Sequence, residues 1–391
     1  MVKPLQVLSS SNATVVAVVE CYKDNKKLYS RDTDAKGFIE LPDEVDMAVV
    51  HPLAQCWTQL IVQFDKEITI CRCPPILPVE KRWWNRILNG DTKVSCSSIS
   101  VGVVDIGFSD HTRVSNLTYF SPNPSSVRLP DSHGAQVLRI ISNEFDGFED
   151  GLCDEITTLF FDAKLDVESK LAEGIAFPCE RLNENLLVDG IDYLSRHGAD
   201  LINISAGSAN TEDSTLLRDA VQLASLRGSL VLAATGNEGC DLVSQPARFG
   251  EVIGVGGLGV SNIAPLGSYV EMLQSVAEAS NETGSVPRLG EFFRHARSSW
   301  GAGLDVVAPS IGVTLTSHDG YATDIEGTSF ACPMVVSLLA MSLEGNENYR
   351  KAKGLDRVKL AREQLTKICQ SVGLDEKYQG MGLPRLGSAQ T

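Results

Sequence analysis

The chain has 391 residues, with 34 Lys and Arg against 50 Asp and Glu, a formal charge of −16 and 43% hydrophobic residues. At about 100–200 residues per domain, that length predicts two or three domains with ample core, which excludes an intrinsically disordered chain. The acidic residues are spread along the sequence rather than set against a basic patch, so no nucleic-acid partner is expected.

No run of about 18 apolar residues occurs, so neither a spanning helix nor a membrane partner is expected. Residues 1–20 lack a compact apolar stretch after a basic start and a small-residue cleavage site, which predicts no signal peptide and a cytoplasmic location. Ten cysteines are too dilute for a disulfide scaffold, and a reducing compartment keeps them as thiols. Cys71 and Cys73 form a C-x-C pair without a second pair at zinc spacing, and read as packed strand positions.

Residues 13–73 carry short runs rich in Val, Ile, Thr and Tyr, punctuated by Asp, Asn, Gly and Pro, as short strands and turns do. The stretch LYSRDTDAKGFIELPD reads as a strand, a turn at Gly37 and a second strand, and faintly resembles the carboxypeptidase-regulatory-like sandwich family. Pro74, Pro75 and Pro78 then interrupt any central strand. An all-β, sandwich-like module over 1–80, either regulatory or a propeptide, is predicted, followed by a linker over 81–97 and a second domain over 98–391.

From residue 98 the pattern changes. Nearly continuous apolar runs (ISVGVVDIG, ADLINIS, SLVLAAT, EVIGVGG) alternate with amphipathic stretches such as STLLRDAVQLASLRG, which predicts an α/β fold with a mainly parallel sheet. In such sheets the chemistry sits beyond the C-terminal strand ends. Asp105 follows the run SVGVV, Asn237 follows SLVLAAT in the turn GNEG, His133 opens an amphipathic run, and Ser329 precedes the apolar run FACPMVVSLLA. Taken singly, each has an ordinary reading as a cap, turn or packed residue. Taken together they give the chain order Asp, His, Asn, Ser.

Four blocks carry a resemblance to the subtilisin-like serine proteases. GTSFACP is similar to the family's serine block, VVDIG to its aspartate block, SHG to its histidine block and AATGNEG to its oxyanion block. LINISAGS is similar to the strand that flanks the substrate groove. The resemblance spans about residues 98–391 and implies the family's three-layer α/β fold behind the small N-terminal module. It implies Ser329 as nucleophile, His133 as general base, Asp105 as its orienting carboxylate and Asn237 as oxyanion donor. Ser205, Ala206 and Gly207 would line one wall of the substrate groove, and Ala234, Thr235 and Gly236 the other.

Departures mark a divergent member. Ile106 stands where the family has a hydroxyl residue, Ala135 and Arg139 replace Thr and Gly in the histidine block, and Phe330 follows the serine. Thr235 and Phe330 suggest a narrowed specificity pocket. His111 is the rival base, but it shares the loop after Asp105, and a position at a helix start favours His133. GVGGLG at 254–259 matches a dinucleotide fingerprint without the helix or the acidic residue that the fingerprint needs.

The expected reaction is peptide-bond hydrolysis through an acyl-enzyme, with a polypeptide as partner and no cofactor needed for the chemistry. The alternative is a catalytically silent homologue that binds peptides or acts as a scaffold. The acidic stretch 143–155 reads as a solvated surface that could hold structural calcium, and no motif identifies a metal ligand. Regulation by a partner, through the N-terminal module or the insertion at 260–297, is the remaining expectation.

Overall fold

The computed structural model describes residues 2–24, 26–53, 55–65, 67–89, 94–107, 116–122, 131–142, 151–163, 184–287 and 289–386. Strands β1 (Val2–Ser9), β2 (Ala17–Lys23), β3 (Lys26–Asp32), β4 (Phe38–Pro42), β5 (Met47–Pro52), β6 (Gln59–Ile61) and β7 (Thr69–Cys73) divide between two sheets, ordered β4-β1-β7 and β3-β2-β5-β6. Alternation brings the sheets together. Ala17, Val19 and Cys21 of β2 are buried in one cluster with Leu5 and Val7 of β1 and Ala48 and Val50 of β5. Cys71 and Cys73 join the same core from β7.

Helix α1 (Trp83–Asn89) lies inside the stretch 81–97 that the sequence presents as a linker. Trp83, Trp84 and Leu88 are buried in the large core of the second domain. The indole N–H of Trp83 donates to the Gly312 carbonyl at 2.7 Å, and that of Trp84 to the Thr314 carbonyl at 2.9 Å. Two adjacent tryptophans carry too much apolar surface to leave in water, and their N–H groups find acceptors once buried. The prolines before α1 signal a break, and the helix is too short for its periodicity to show.

The second domain alternates strand and helix: β8 (Ser100–Asp105), β9 (Leu117–Phe120), α2 (His133–Ile141), β10 (Thr157–Asp162), α3 (Glu184–Arg196), β11 (Leu201–Ile204), α4 (Thr215–Arg227), β12 (Leu230–Ala234) and β13 (Ile253–Val260). There follow α5 (Tyr269–Ala279), β14 (Thr283–Val286), β15 (Gly290–Arg294), β16 (Val306–Pro309), the hairpin β17 (Val313–Thr316) with β18 (Ala322–Ile325), and α6 (Thr328–Leu343). Among the described residues the central sheet runs β14-β15-β13-β12-β11-β8-β10-β9, with β16 beside β13. Its members are parallel except for the β14–β15 edge. This is the mainly parallel α/β architecture expected from the alternating pattern.

Strand periodicity decides what faces what. A Cβ on Gly102 would meet Leu194 of α3 at 3.0 Å, and one on Gly190 of α3 would meet Val104 at 2.9 Å. Gly102 and Val104 therefore face α3. Val101, Val103 and Asp105 point to the opposite face, where α2 packs against α6. The parallel order also carries the ends of β8, β11 and β12 to one edge of the sheet.

The insertion at 260–297 contains helix α5, which folds back on the N-terminal module. Tyr269, Val270 and Ala277 of α5 share a buried cluster with Tyr22, Val49, Trp57 and Ile76 of the module and with Phe293, Ile311 and Ala322. Among the described residues no helix is long and apolar enough to cross a membrane.

Candidate active site

Helix α2 begins on His133 because Ser132 caps it: the hydroxyl accepts from Ala135 N–H at 3.3 Å and donates to the Gly107 carbonyl at 2.8 Å. Position 134 must be glycine for the helix to sit there. A Cβ on Gly134 would lie 2.7 Å from both the Gly107 carbonyl oxygen and the Phe160 ring. The close approach brings His133 Nδ1 within 2.7 Å of Asp105 Oδ1. Asp105 is 1% exposed at the end of β8, and its Oδ1 also accepts from Ile106 N–H at 2.7 Å. A carboxylate only accepts, so Nδ1 carries the proton and Nε2 is the basic nitrogen.

Arg139, which replaces a glycine of the histidine block, is buried in α2 and ion-paired to Asp131, just ahead of His133. Asp131 in turn accepts from His318 N–H, at 3.1 Å, in the turn of the β17–β18 hairpin. Burial alone would raise the Asp131 carboxyl, but the bonds from His318 and Arg139 hold it below its ordinary range. The departure thus ties the start of α2 to the hairpin.

Ser329 stands in the first turn of α6, where backbone N–H groups lack helical acceptors and the dipole favours negative charge. The residue before that turn, Gly327, has φ 131° and ψ 150°, a region open essentially to glycine, and a Cβ there would sit 3.4 Å from Asn237 Nδ2. Asn237 Oδ1 accepts from Thr328 N–H at 2.9 Å and from its hydroxyl at 3.1 Å. Those two bonds fix the amide, with Nδ2 as the donor beside Gly327. The Ser329 hydroxyl donates to the Ser205 carbonyl at 3.0 Å. The Ser205 hydroxyl donates to the Ser329 carbonyl at 2.7 Å and accepts from buried Asn203 Nδ2 at 2.9 Å.

The structure therefore gathers Asp105, His133, Asn237 and Ser329 at one end of the sheet, and it adds Asn203 and Ser205 as supports behind the serine. The hydroxyl of Ser205 is committed to that support. Beyond it Ala206 is partly buried and Gly207 exposed, ahead of Ser208, whose N–H and carbonyl pair with Gln245 at 3.0 and 2.9 Å. On the other side Gly236 is partly exposed and Ala234 is buried. Thr235 is fully buried; its N–H bonds to Val255 at 3.0 Å and its carbonyl accepts from Ser244 at 2.8 Å. Phe330 is also buried, its ring centroid 5.4 Å from that of His133. Phe330 thus packs beside the imidazole.

Cys332 is buried in α6 and burial pushes its thiol well up, so it stays neutral next to the site. His111 and residues 143–150 of the acidic stretch lie outside the described residues. Among the described residues no group of three or more His, Cys, Asp or Glu side chains could hold a metal ion.

Sequence reasoning missed the residues that brace the turns around the site. Gly327 N–H donates to the Ser310 carbonyl at 2.7 Å, Ser299 N–H to the Gly236 carbonyl at 3.0 Å, and Gly239 N–H to the Arg297 carbonyl at 2.8 Å. The Arg297 guanidinium donates to Glu326, at 2.7 Å, immediately before Gly327. At the end of β18 the Asp324 carboxylate takes both the N–H and the hydroxyl of Thr58, at 3.1 and 2.9 Å. No local motif could reveal Thr58, whose partner lies far along the chain.

The family model described as the subtilase family, Peptidase_S8, matches residues 97–368. Subtilisin BL of Lederbergia lenta is 26% identical over 289 residues, covering 73% of this chain and 88% of that protein. Subtilisin DY of Bacillus licheniformis is 29% identical over 207 residues, covering 52% and 61%. Among solved structures, a cold adapted subtilisin-like serine proteinase superposes with a TM-score of 0.55 at 19% identity, covering 77% of this chain and 93% of that one. The prenylagaramide maturation protease PagA gives 0.52 at 24% identity, covering 80% and 96%. At these identities the structural likeness is one of fold.

Proposed function

Since the chain belongs to the subtilase family of serine endopeptidases, we propose that Ser329 is its nucleophile, His133 its general base and Asp105 the carboxylate that orients the base. A neutral hydroxyl is a weak nucleophile, so the reaction needs a base that takes the Ser329 proton and returns it to the leaving amine. The observation that carries this reading is the 2.7 Å contact between Asp105 Oδ1 and His133 Nδ1, which leaves Nε2 for that task. At rest the Ser329 hydroxyl is held by the Ser205 carbonyl. Attack requires it to turn from that acceptor to His133 as the substrate settles.

The scissile carbonyl gains negative charge as the serine adds. Asn237 Nδ2 and the Ser329 N–H are the donors proposed to receive it, helped by the N-terminus of α6. Subtilases need no cofactor for this chemistry. Ala206, Gly207 and Gly236 are proposed to hold an extended polypeptide as an added strand. An acidic body favours neutral or basic peptides on approach. We further propose a cytoplasmic setting; the nine described cysteines are free thiols, which fits a reducing compartment.

The test is digestion of an unstructured polypeptide by the purified chain, with product termini read by mass spectrometry. Internal cuts are expected from the wild type and none from Ser329→Ala. Absence of cuts between about pH 6 and 9, or equal cutting by both, would overturn the reading.

A further inference from the structure

The β17–β18 hairpin runs directly into the Glu326–Gly327–Thr328–Ser329 turn, and it is gripped by residues far away in the chain. Trp83 and Trp84 hold its first strand by their indole N–H groups. The second strand is held by one residue of the N-terminal module. Thr58 donates its N–H to both Asp324 oxygens, at 3.1 and 3.2 Å, and its hydroxyl to Oδ1 at 2.9 Å. Its carbonyl accepts from Tyr269 N–H, at 2.9 Å, at the start of α5. Next to it Trp57 is fully buried, its indole bonded to Glu80 at 3.1 Å. Thr58 is therefore a joint between the module, the insertion helix and the strand that delivers the serine.

The geometry points to Thr58 as a positioning residue for the nucleophile turn, and to the N-terminal module as a retained working part of the peptidase rather than a segment removed on maturation. Three features support this. The Asp324 carboxylate has its hydrogen-bond donors on the module, so loss of the module strands a partly buried charge at the end of β18. The apolar surface under the module includes Phe293, Ile311 and Ala322 of the second domain, all buried against Tyr22, Val49, Trp57 and Ile76, and removal would bare it. Finally, β18 reaches Ser329 through Gly327 alone among freely turning residues, and Gly327 N–H is itself tied to Ser310. Asp324 lies four residues before Thr328, which holds the Asn237 amide and with it the donor geometry at the serine.

The inference rests on the peptidase reading, and the experiment separates the two. In the intact chain, labelling of Ser329 by a fluorophosphonate is followed in time, beside kcat and KM on a peptide substrate and the thermal unfolding temperature. Thr58→Val, which keeps the N–H bonds and drops the hydroxyl bond, is expected to lower kcat and the labelling rate about tenfold with KM within about twofold. Thr58→Ser, which keeps the hydroxyl, is expected to stay within about twofold of wild type. On the Asp324 side, Asp324→Ala should reproduce the loss and Asp324→Asn, which retains an acceptor, should not; the double variant Thr58→Val with Asp324→Ala should lose no more than either alone. Wild-type labelling rates in folded Thr58→Val or Asp324→Ala would overturn the inference. So would N-terminal sequencing that finds the labelled, active species cut between residues 74 and 97. Should Thr58→Val fail to fold, the Asp324 pair decides by the same criteria. Failure of the wild type itself to label would overturn the peptidase reading, and the inference would fall with it.

Discussion

Among the described residues Asp105 takes its hydrogen bonds on one oxygen, from His133 and from the Ile106 N–H, while its Oδ2 is buried without a partner. The family's hydroxyl at position 106 is absent, so orientation of His133 depends on Oδ1 and on the Ser132 cap. Asn237 is fixed as firmly, because Thr328 occupies its oxygen twice. Asn237→Ala should therefore lower kcat by about 10²–10³, a magnitude carried over from the oxyanion asparagine of a subtilisin. Asn237→Asp keeps the acceptor for Thr328 but replaces the donor by a negative charge, and steady-state kinetics should show at least as large a loss with an unchanged unfolding temperature. Gly327→Ala forces a side chain into a glycine-only conformation beside Asn237 Nδ2. Chemical denaturation should register a loss of about 1–3 kcal/mol, and kcat should fall with it.

At the scale of elements, the hairpin and the short helix before the second domain do the joining. Trp84→Ala removes a fully buried ring and its bond to Thr314, and is expected to cost about 3–5 kcal/mol, read from the denaturation midpoint. The junction between module and hairpin is also sensitive to pH. Burial pushes the Asp324 carboxyl up to about 6, against the bonds from Thr58. Burial opposes the charged form of His51, but the charge of Glu20, in ion contact at 3.9 Å, carries its pKa above the usual value. Burial likewise raises Glu326 against the pull of Arg297. For groups raised in the folded state, the stabilisation is complete below the ordinary pKa and is lost as pH rises through the folded one. Glu20 works in the other direction, held low by His51, Lys27 and Tyr22 despite its burial, so its contribution persists above its ordinary value of 4.5. The unfolding temperature should therefore fall as pH rises from about 4 to about 6, the interval between the ordinary and the folded value of Asp324, and Asp324→Asn should flatten that fall. A scan by differential calorimetry in which the variant keeps the full slope would contradict this assignment.

Over the whole molecule, what could be read in the sequence was what local pattern encodes. The apolar strands gave the parallel sheet, the alternation before residue 74 gave the two-sheet module, and Asp105, His133, Asn237 and Ser329 stood out because each sits where a strand ends or a helix begins. The rest was illegible for a physical reason: it consists of contacts between remote segments. Helix α1 shows only as two tryptophans between prolines and polar residues, yet its partners Gly312 and Thr314 fix it in the core. Thr58 and Asp324 are ordinary in their own neighbourhoods, and the hydroxyl of Ser205 is claimed by Asn203 and Ser329, the latter remote in sequence. The most direct measurement of the central claim, that Ser329 is activated by His133 and Asp105, is peptide mapping of the intact chain after reaction with a fluorophosphonate. The expected result is one adduct on Ser329, lost in Ser329→Ala and slowed by several orders of magnitude in His133→Ala. An adduct elsewhere, or one that forms on Ser329 as fast without His133, would contradict it.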